Sequence, residues 1–227
     1  LEHNTSITYR SVSKLKYLQE LNISHCSNPE LDDRALCDLK TLKKLKMRGM
    51  TQSFTNAAFV HLTSLTHLDI SNCTSLGMGD DLFVNMKEMH SLNITGCNQG
   101  FTNCLFLNLI SLRKLKIGPC NQTGFNQDIF KSLHLLTDLC LSGCKRNDIN
   151  SKSFSHLPNL KKLQLLDCSF ITSELTTYTR CLTDLTIRSH RIEVFRASDI
   201  YHLSSLRRLT VPFRCLNHHE FSSMGSI

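Results

Sequence analysis

The sequence lacks the residue combinations on which most catalytic mechanisms depend. No HExxH, GxSxG or CxxC motif occurs among its 227 residues, and its eleven histidines are dispersed. The glycine-containing segment 77–80 lacks the lysine and the spacing of a phosphate-binding loop, so we expect a turn there. We therefore predict a protein that is not an enzyme, with no catalytic residues, no metal site and no cofactor.

Long apolar runs are also missing. No stretch approaches the roughly 20 apolar residues that a membrane-spanning helix requires, and no signal peptide is recognisable. The formal net charge is +7, a moderate basic excess. Such a charge is compatible with an anionic partner without requiring one.

What the sequence does contain is a repeat. Residues Leu62–Cys73 read LxxLxxLxIxxC, and the same apolar positions recur along nearly the whole chain at intervals of 22 to 24 residues. The first apolar positions of the nine copies are Leu15, Leu39, Leu62, Met86, Leu109, Leu133, Leu157, Thr179 and Leu203. The short LxL segment alternates apolar and polar residues, which predicts one strand per copy. A single copy cannot bury its apolar face, so the copies must stack into a parallel sheet.

Two further positions recur in phase with the strands. Three residues before each first apolar position lies a large apolar side chain, which we expect to form a buried spine on the convex side: Leu36, Phe59, Phe83, Phe106, Phe130, Phe154 and Ile200. Three residues after the strand core lies a cysteine in six copies: Cys26, Cys73, Cys97, Cys120, Cys144 and Cys168. We predict buried free thiols at this cysteine ladder, because parallel Cβ vectors disfavour disulfides and no ligand pairs suited to zinc are present.

This pattern resembles the leucine-rich repeat family, and its period is similar to the typical repeats of about 24 residues in Toll-like receptor ectodomains. The resemblance implies an α/β solenoid, a horseshoe with a parallel concave β-sheet and a mostly irregular or 3-10 convex side. It also implies a ligand-recognition segment of an extracellular receptor in innate immune signalling. Dimerisation on ligand binding and a membrane anchor outside this chain would follow. The cysteine ladder resembles instead that of intracellular F-box adaptors, which select substrates for ubiquitin ligases; this cytoplasmic alternative stays open.

The continuous repeat predicts one domain over residues 1–227. Val12 occupies the spine position of the first copy, and one further period from Leu203 ends at Ile227. Neither end carries a polar capping repeat, which a solenoid needs to cover its exposed core. We therefore expect a fragment of about nine repeats that lacks both caps.

Residues that flank the core positions of each strand should point to the concave face. Eight of them are basic and four are acidic. The candidate ligand-binding residues are Lys44, Lys46, Arg48, His67, Asp69, Lys114, Lys116, Asp138, Lys162, Arg188 and Arg208. Their charge predicts docking of an acidic protein or another polyanion, although charged strands also simply keep a sheet soluble. Nucleic acid is disfavoured because no aromatic side chain interleaves with the basic ones to stack on bases.

Five sequons give candidate glycosylation sites at Asn4, Asn22, Asn72, Asn93 and Asn121. Composition alone would supply about three, so the excess favours an extracellular protein only weakly. Asn22 and Asn93 fall on predicted concave strands, where a glycan would obstruct binding.

Overall fold

A computed structural model describes residues 1–74, 77–97, 100–119, 124–144, 149–168, 174–189, 200 and 202–211. Within these residues, nine strands form one parallel sheet in sequence order. They are β1 (Glu20–Asn22), β2 (Lys44–Lys46), β3 (His67–Asp69), β4 (Ser91–Asn93), β5 (Lys114–Ile117), β6 (Asp138–Ser142), β7 (Lys162–Leu166), β8 (Asp184–Arg188) and β9 (Arg208–Thr210). The sheet and its order confirm the predicted solenoid.

The central leucine of each repeat unit sets the register. Leu68 of β3 pairs with Leu45 of β2 on one side and Leu92 of β4 on the other, and all three are buried. Leu15 is the exception among the first apolar positions, with 43 % of its surface exposed, against the expectation that it belongs to the core. It lies beside β1, which is an edge strand of the described sheet and has a neighbour on one side only.

The convex side consists of short helical turns. Among the described residues, four are 3-10 helices, at Asp33–Ala35, Asn56–Ala58, Asn103–Phe106 and Ser151–His156, and two are single α-helical turns, at Tyr9–Val12 and Leu175–Tyr178. Each 3-10 helix begins after a residue whose side chain accepts a hydrogen bond from the backbone, such as Thr55 from Ala57 N at 3.2 Å. The predicted irregular or 3-10 convex side is confirmed.

The apolar spine is buried as predicted. Phe59, Phe83 and Phe130 have no exposed surface, and Ile200 retains only 5 %. A second apolar row, which the sequence reasoning missed, lies five residues before the spine: Ile7, Leu31, Phe54, Met78, Phe101, Phe125 and Ile149 are all buried. Two large side chains per turn therefore fill the convex half of the coil.

Neighbouring turns are also joined by polar contacts on the convex side. The Asp33 carboxylate accepts hydrogen bonds from Thr55 N at 2.8 Å and from its hydroxyl at 2.5 Å. Two turns further along the coil, Asp80 accepts the equivalent two hydrogen bonds from the backbone N and the hydroxyl of Thr102. These charge-assisted bonds hold successive turns in phase while their apolar rows stack.

The cysteine ladder links each turn to the one before it. Cys73 Sγ donates to Met47 O at 2.8 Å, and Cys97 Sγ donates to Ile70 O at 3.0 Å. Cys26, Cys73, Cys97 and Cys168 are buried and lie outside disulfides, as predicted. Burial raises the pKa of Cys97 to about 12 and those of Cys73 and Cys168 to about 11, so none is a thiolate at neutral pH.

One member of the ladder contradicts the prediction of free thiols. Cys144 is disulfide-bonded, and Cys120 lies outside the described residues. The prediction treated all turns as identical, which they are not: β1 to β4 have three residues each, β5 has four and β6 has five. The regular ladder of parallel thiols that the prediction assumed is therefore not present at this turn.

Candidate ligand-binding surface

The parallel register brings two rows of concave side chains together across β2 to β5. One row contains Lys44, His67, Ser91 and Lys114, and the other contains Lys46, Asp69, Asn93 and Lys116. These eight residues and three core leucines line a shallow cavity of about 230 Å³. Each row has a lysine at either end and polar or acidic side chains between, so positive charges lie at both ends of the cavity.

Ion pairs divide the basic residues of this face into two groups. Lys44 Nζ lies 2.7 Å from Glu20 Oε1, and Arg48 Nε lies 3.6 Å from Asp69 Oδ2. Further along, Lys162 pairs with Asp138 at 3.9 Å. Arg208 pairs with Asp184 at 3.2 Å. The four acidic residues of the face thus partly neutralise four of its eight basic ones.

The remaining basic residues are Lys46, Lys114, Lys116 and Arg188. None of them has a carboxylate oxygen within 4.0 Å among the residues that the structure describes. The three lysines all line the cavity, whereas Arg188 lies at the end of β8. Since Lys46 and Lys116 share a row and are separated by three strand spacings, their backbones are about 14 Å apart. We call Lys46, Lys114 and Lys116 the lysine cradle.

His67 lies in the cavity between the two ends of the cradle. Partial desolvation lowers its pKa first, and the positive charges of Lys44 and Lys114 lower it further. The imidazole is therefore neutral at pH 7. Its Nδ1 lies 2.9 Å from the Thr66 hydroxyl, so the ring has a local hydrogen-bond partner.

Two of the side chains between the lysines are held in place by short-range hydrogen bonds. Asp69 Oδ1 accepts from Ser71 N at 3.0 Å and from the Ser71 hydroxyl at 2.6 Å. Asn93 Oδ1 accepts from Thr95 N at 3.1 Å and from the Thr95 hydroxyl at 2.8 Å. The same motif in neighbouring strands fixes both side chains before any ligand arrives.

Not all of the predicted site residues come together. Asp138, Lys162, Arg188 and Arg208 lie on β6 to β9, outside the cavity. Cys140 on β6 is half-buried, and burial raises the pKa of its thiol. The cavity is therefore a local feature of β2 to β5 rather than of the whole sheet.

The sequons fall into two groups. Asn4 and Asn72 are exposed, while Asn22 and Asn93 are half-buried on β1 and β4. Asn93 also lines the cavity, so a glycan there would cover it. Asn121 lies outside the described residues.

The repeat sequence matches a known family. A model of the BspA type leucine-rich repeat region matches in six copies, over residues 1–112 and 77–207. The chain therefore belongs to the leucine-rich repeat family, a family of binding scaffolds. No sequence among the curated proteins matches it.

Solved structures with the same fold include bacterial and animal proteins. An internalin from Listeria monocytogenes is 18 % identical, with a TM-score of 0.71 over 92 % of this chain and 58 % of its own. TLR13, solved in complex with ssRNA13, is 23 % identical, with a TM-score of 0.71 over 93 % of this chain and 32 % of its own. Toll from Drosophila, in its complex with Spatzle, is 16 % identical, with a TM-score of 0.63 over 96 % and 35 %.

At these identities the likeness concerns the fold alone. The chain spans less than two thirds of the length of the internalin and about a third of TLR13. Among the described residues, no helix has the length and apolar character needed to cross a membrane.

Proposed function

We propose that this chain is a ligand-recognition segment of a Toll-like-receptor-like extracellular domain, and that the lysine cradle holds an acidic segment of a protein ligand. The observation that carries the proposal is the excess of positive charge left after ion pairing. Lys46, Lys114 and Lys116 converge on one cavity, and no described carboxylate pairs with them. Such a concentration of one sign of charge attracts an oppositely charged partner and orients it on approach.

The geometry specifies the spacing of the ligand charges. The two ends of the cradle are about 14 Å apart across the strands. An extended peptide advances about 3.4 Å per residue, so acidic residues four positions apart would reach both ends. A ligand segment with carboxylates at positions i and i+4 therefore fits the cradle best.

A charge-reversal experiment tests this assignment. The probe is a fluorescein-labelled peptide with glutamates at positions i and i+4, and affinity is measured by fluorescence anisotropy at low salt. The test variant carries Lys46→Glu, Lys114→Glu and Lys116→Glu. The matched control carries the same three-fold change at exposed lysines away from the cavity, Lys87, Lys131 and Lys152.

We expect the test variant to bind the probe at least about tenfold more weakly, because three attractions become repulsions. The control variant should retain most of the wild-type affinity, since its charges are distant from the cradle and screened by salt. Equal losses of affinity in both variants would show that only net charge matters. They would refute the assignment of the lysine cradle as the binding site. If the cradle binds single-stranded RNA more tightly than the peptide, the ligand is a nucleic acid and not an acidic protein segment.

The extracellular-receptor part of the proposal is supported by similarity of fold. Structures with this fold include TLR13 with ssRNA13, mouse RP105 with MD-1, and Toll with Spatzle, each a complex with a ligand or partner. By this analogy the chain faces the extracellular side, reaches the membrane through segments outside it, and dimerises when ligand binds. Expression through a secretory pathway should give a glycosidase-sensitive mass at the exposed Asn4 or Asn72. Sedimentation with and without the acidic probe tests the dimer.

The cytoplasmic adaptor is the second candidate, and the number of reduced thiols favours it. Eight cysteines of the described residues lie outside disulfides, which suits a reducing compartment, whereas the disulfide of Cys144 suits an oxidising one. The full-length reading frame separates the two candidates. A signal peptide and a transmembrane helix support the receptor, whereas an F-box upstream supports the adaptor.

A further inference from the structure

A second cluster of chemically active side chains lies at the turn that follows β1. Glu2, His3 and His25 each offer a ligand atom, and these three atoms lie within 4.8 Å of one another. His3 Nε2 is 3.9 Å from Glu2 Oε1. The rings of His3 and His25 are stacked, with centroids 4.8 Å apart and planes inclined by 6°. All three side chains are exposed, so an ion from solution can reach them.

The repeat backbone places the two histidines in register. Both adopt left-handed conformations, with φ of 59° at His3 and 56° at His25, which is uncommon for a residue other than glycine. His3 N donates to Ser24 O at 3.0 Å, and His25 N donates to Arg48 O at 2.8 Å. They therefore occupy equivalent positions in successive turns, and their side chains leave the backbone in the same direction.

The next turn leaves room for the His25 ring. The equivalent residue there is Gly49, and a Cβ at this position would lie only 2.4 Å from His25 Nδ1. Any larger residue would displace the imidazole from its place beside His3. One turn further on, the equivalent residue is Asn72, which shows that asparagine also adopts this backbone conformation.

Asn22 orients the carboxylate of Glu2. Its Nδ2 donates to Glu2 Oε2 at 3.1 Å, leaving Oε1 on the side of His3. Asn22 is itself fixed, because its Oδ1 accepts a hydrogen bond from Ser24 N at 3.1 Å. A hydrogen-bonded ligand carboxylate of this kind is a regular feature of metal sites, where the outer partner fixes the orientation of the inner ligand.

We propose that Glu2, His3 and His25 bind a divalent transition-metal ion of the Zn²⁺ class, with water in the remaining coordination positions. Two imidazoles and one carboxylate are a donor set that suits Zn²⁺, and three protein ligands leave an open position. Ligand atoms of a tetrahedral Zn²⁺ site are about 3.4 Å apart, so the His3–Glu2 contact has to shorten by about 0.5 Å. The stacked rings must also tilt toward each other, and rotation about histidine χ2 permits this at low cost.

The site is separate from the lysine cradle. It lies beside β1, whereas the cavity spans β2 to β5 and contains none of the three ligands. Metal binding and acidic-peptide binding can therefore be measured independently. Failure of one assignment leaves the other in place.

Isothermal titration with Zn²⁺, together with the visible absorption of bound Co²⁺, tests the proposal. The chain is used with an acetylated amino terminus, so that the amine of Leu1 adds no ligand. The test variant is His25→Asn, because asparagine suits the left-handed conformation and the turn is preserved. The matched control is His61→Asn, which removes another exposed histidine outside the cluster.

We expect one Zn²⁺ per chain, at least about tenfold weaker binding in His25→Asn, and unchanged binding in His61→Asn. The ¹⁵N resonances of the His3 and His25 ring nitrogens should shift on Zn²⁺ addition, which identifies the ligands even if a variant folds poorly. No Zn²⁺ uptake by the wild type would overturn the proposal. So would uptake that His25→Asn leaves intact, since the ion would then sit on other histidines.

Discussion

Replacement of Cys97 by alanine tests how the thiols hold the coil together. The side chain is 2 % exposed, and its Sγ donates to Ile70 O at 3.0 Å in the preceding turn. Alanine removes about 1 kcal/mol of burial, comparable to one methylene group. Loss of the hydrogen bond adds about 1 kcal/mol. The free energy of unfolding should therefore fall by about 2 kcal/mol, which for a domain of this size lowers Tm by about 4–8 °C.

Thermal and urea unfolding, followed by circular dichroism, measure this change. Cys104→Ala is the matched control, because Cys104 is an exposed free thiol and its loss should change the unfolding free energy by less than about 0.5 kcal/mol. Cys97→Ser should lie between the two, since the hydroxyl keeps a donor while removing sulfur volume. If Cys97→Ala is no more destabilising than Cys104→Ala, the thiols do not join the turns.

Three further predictions follow from the same packing and electrostatics. A thiol reagent at pH 8 should label the exposed Cys104 and Cys181 within minutes, while the ladder thiols react only after unfolding; fast ladder labelling measured by mass spectrometry would contradict their burial. Phe83→Ala should lower the unfolding free energy by about 3–5 kcal/mol because it empties a fully buried spine position, and a loss below about 1 kcal/mol in urea titrations would contradict that packing. Because the pKa of His67 is lowered, the ring gains its charge only at acidic pH, so affinity for the acidic peptide should rise as the pH falls toward 5. The His67→Gln variant should lose that rise in anisotropy titrations, and an identical pH profile in both proteins would contradict the role of His67.

Much of the fold was predictable from spacing alone. Strand positions, parallel order and the phenylalanine spine follow from one apolar pattern repeated in phase, because identical turns can stack only in one register. The second row, containing Phe54, Phe101 and Phe125, carried an equally regular signal five residues before the spine. It was missed because it lies outside the LxxLxL core. The disulfide at Cys144 was not predictable, since it depends on how one turn departs from the repeat.

The candidate site was predictable in outline only. Alternation along each strand identifies which side chains face the ligand, and the 24-residue offset between Glu20 and Lys44 already places that acid beside that base. The diagonal contact between Arg48 and Asp69 depends on side-chain conformation, which no spacing reveals. The lowered pKa of His67 likewise arises from burial in the cavity. The lysine cradle therefore became distinct from the rest of the basic face only in three dimensions.

Carbodiimide cross-linking of the acidic peptide tests the central claim most directly. The reagent joins a carboxylate to a lysine that it contacts, and mass spectrometry of the digested product identifies the lysine. Our account predicts that cross-links form chiefly at Lys46, Lys114 and Lys116. Cross-links spread evenly over these and the convex lysines Lys131 and Lys152 would contradict it.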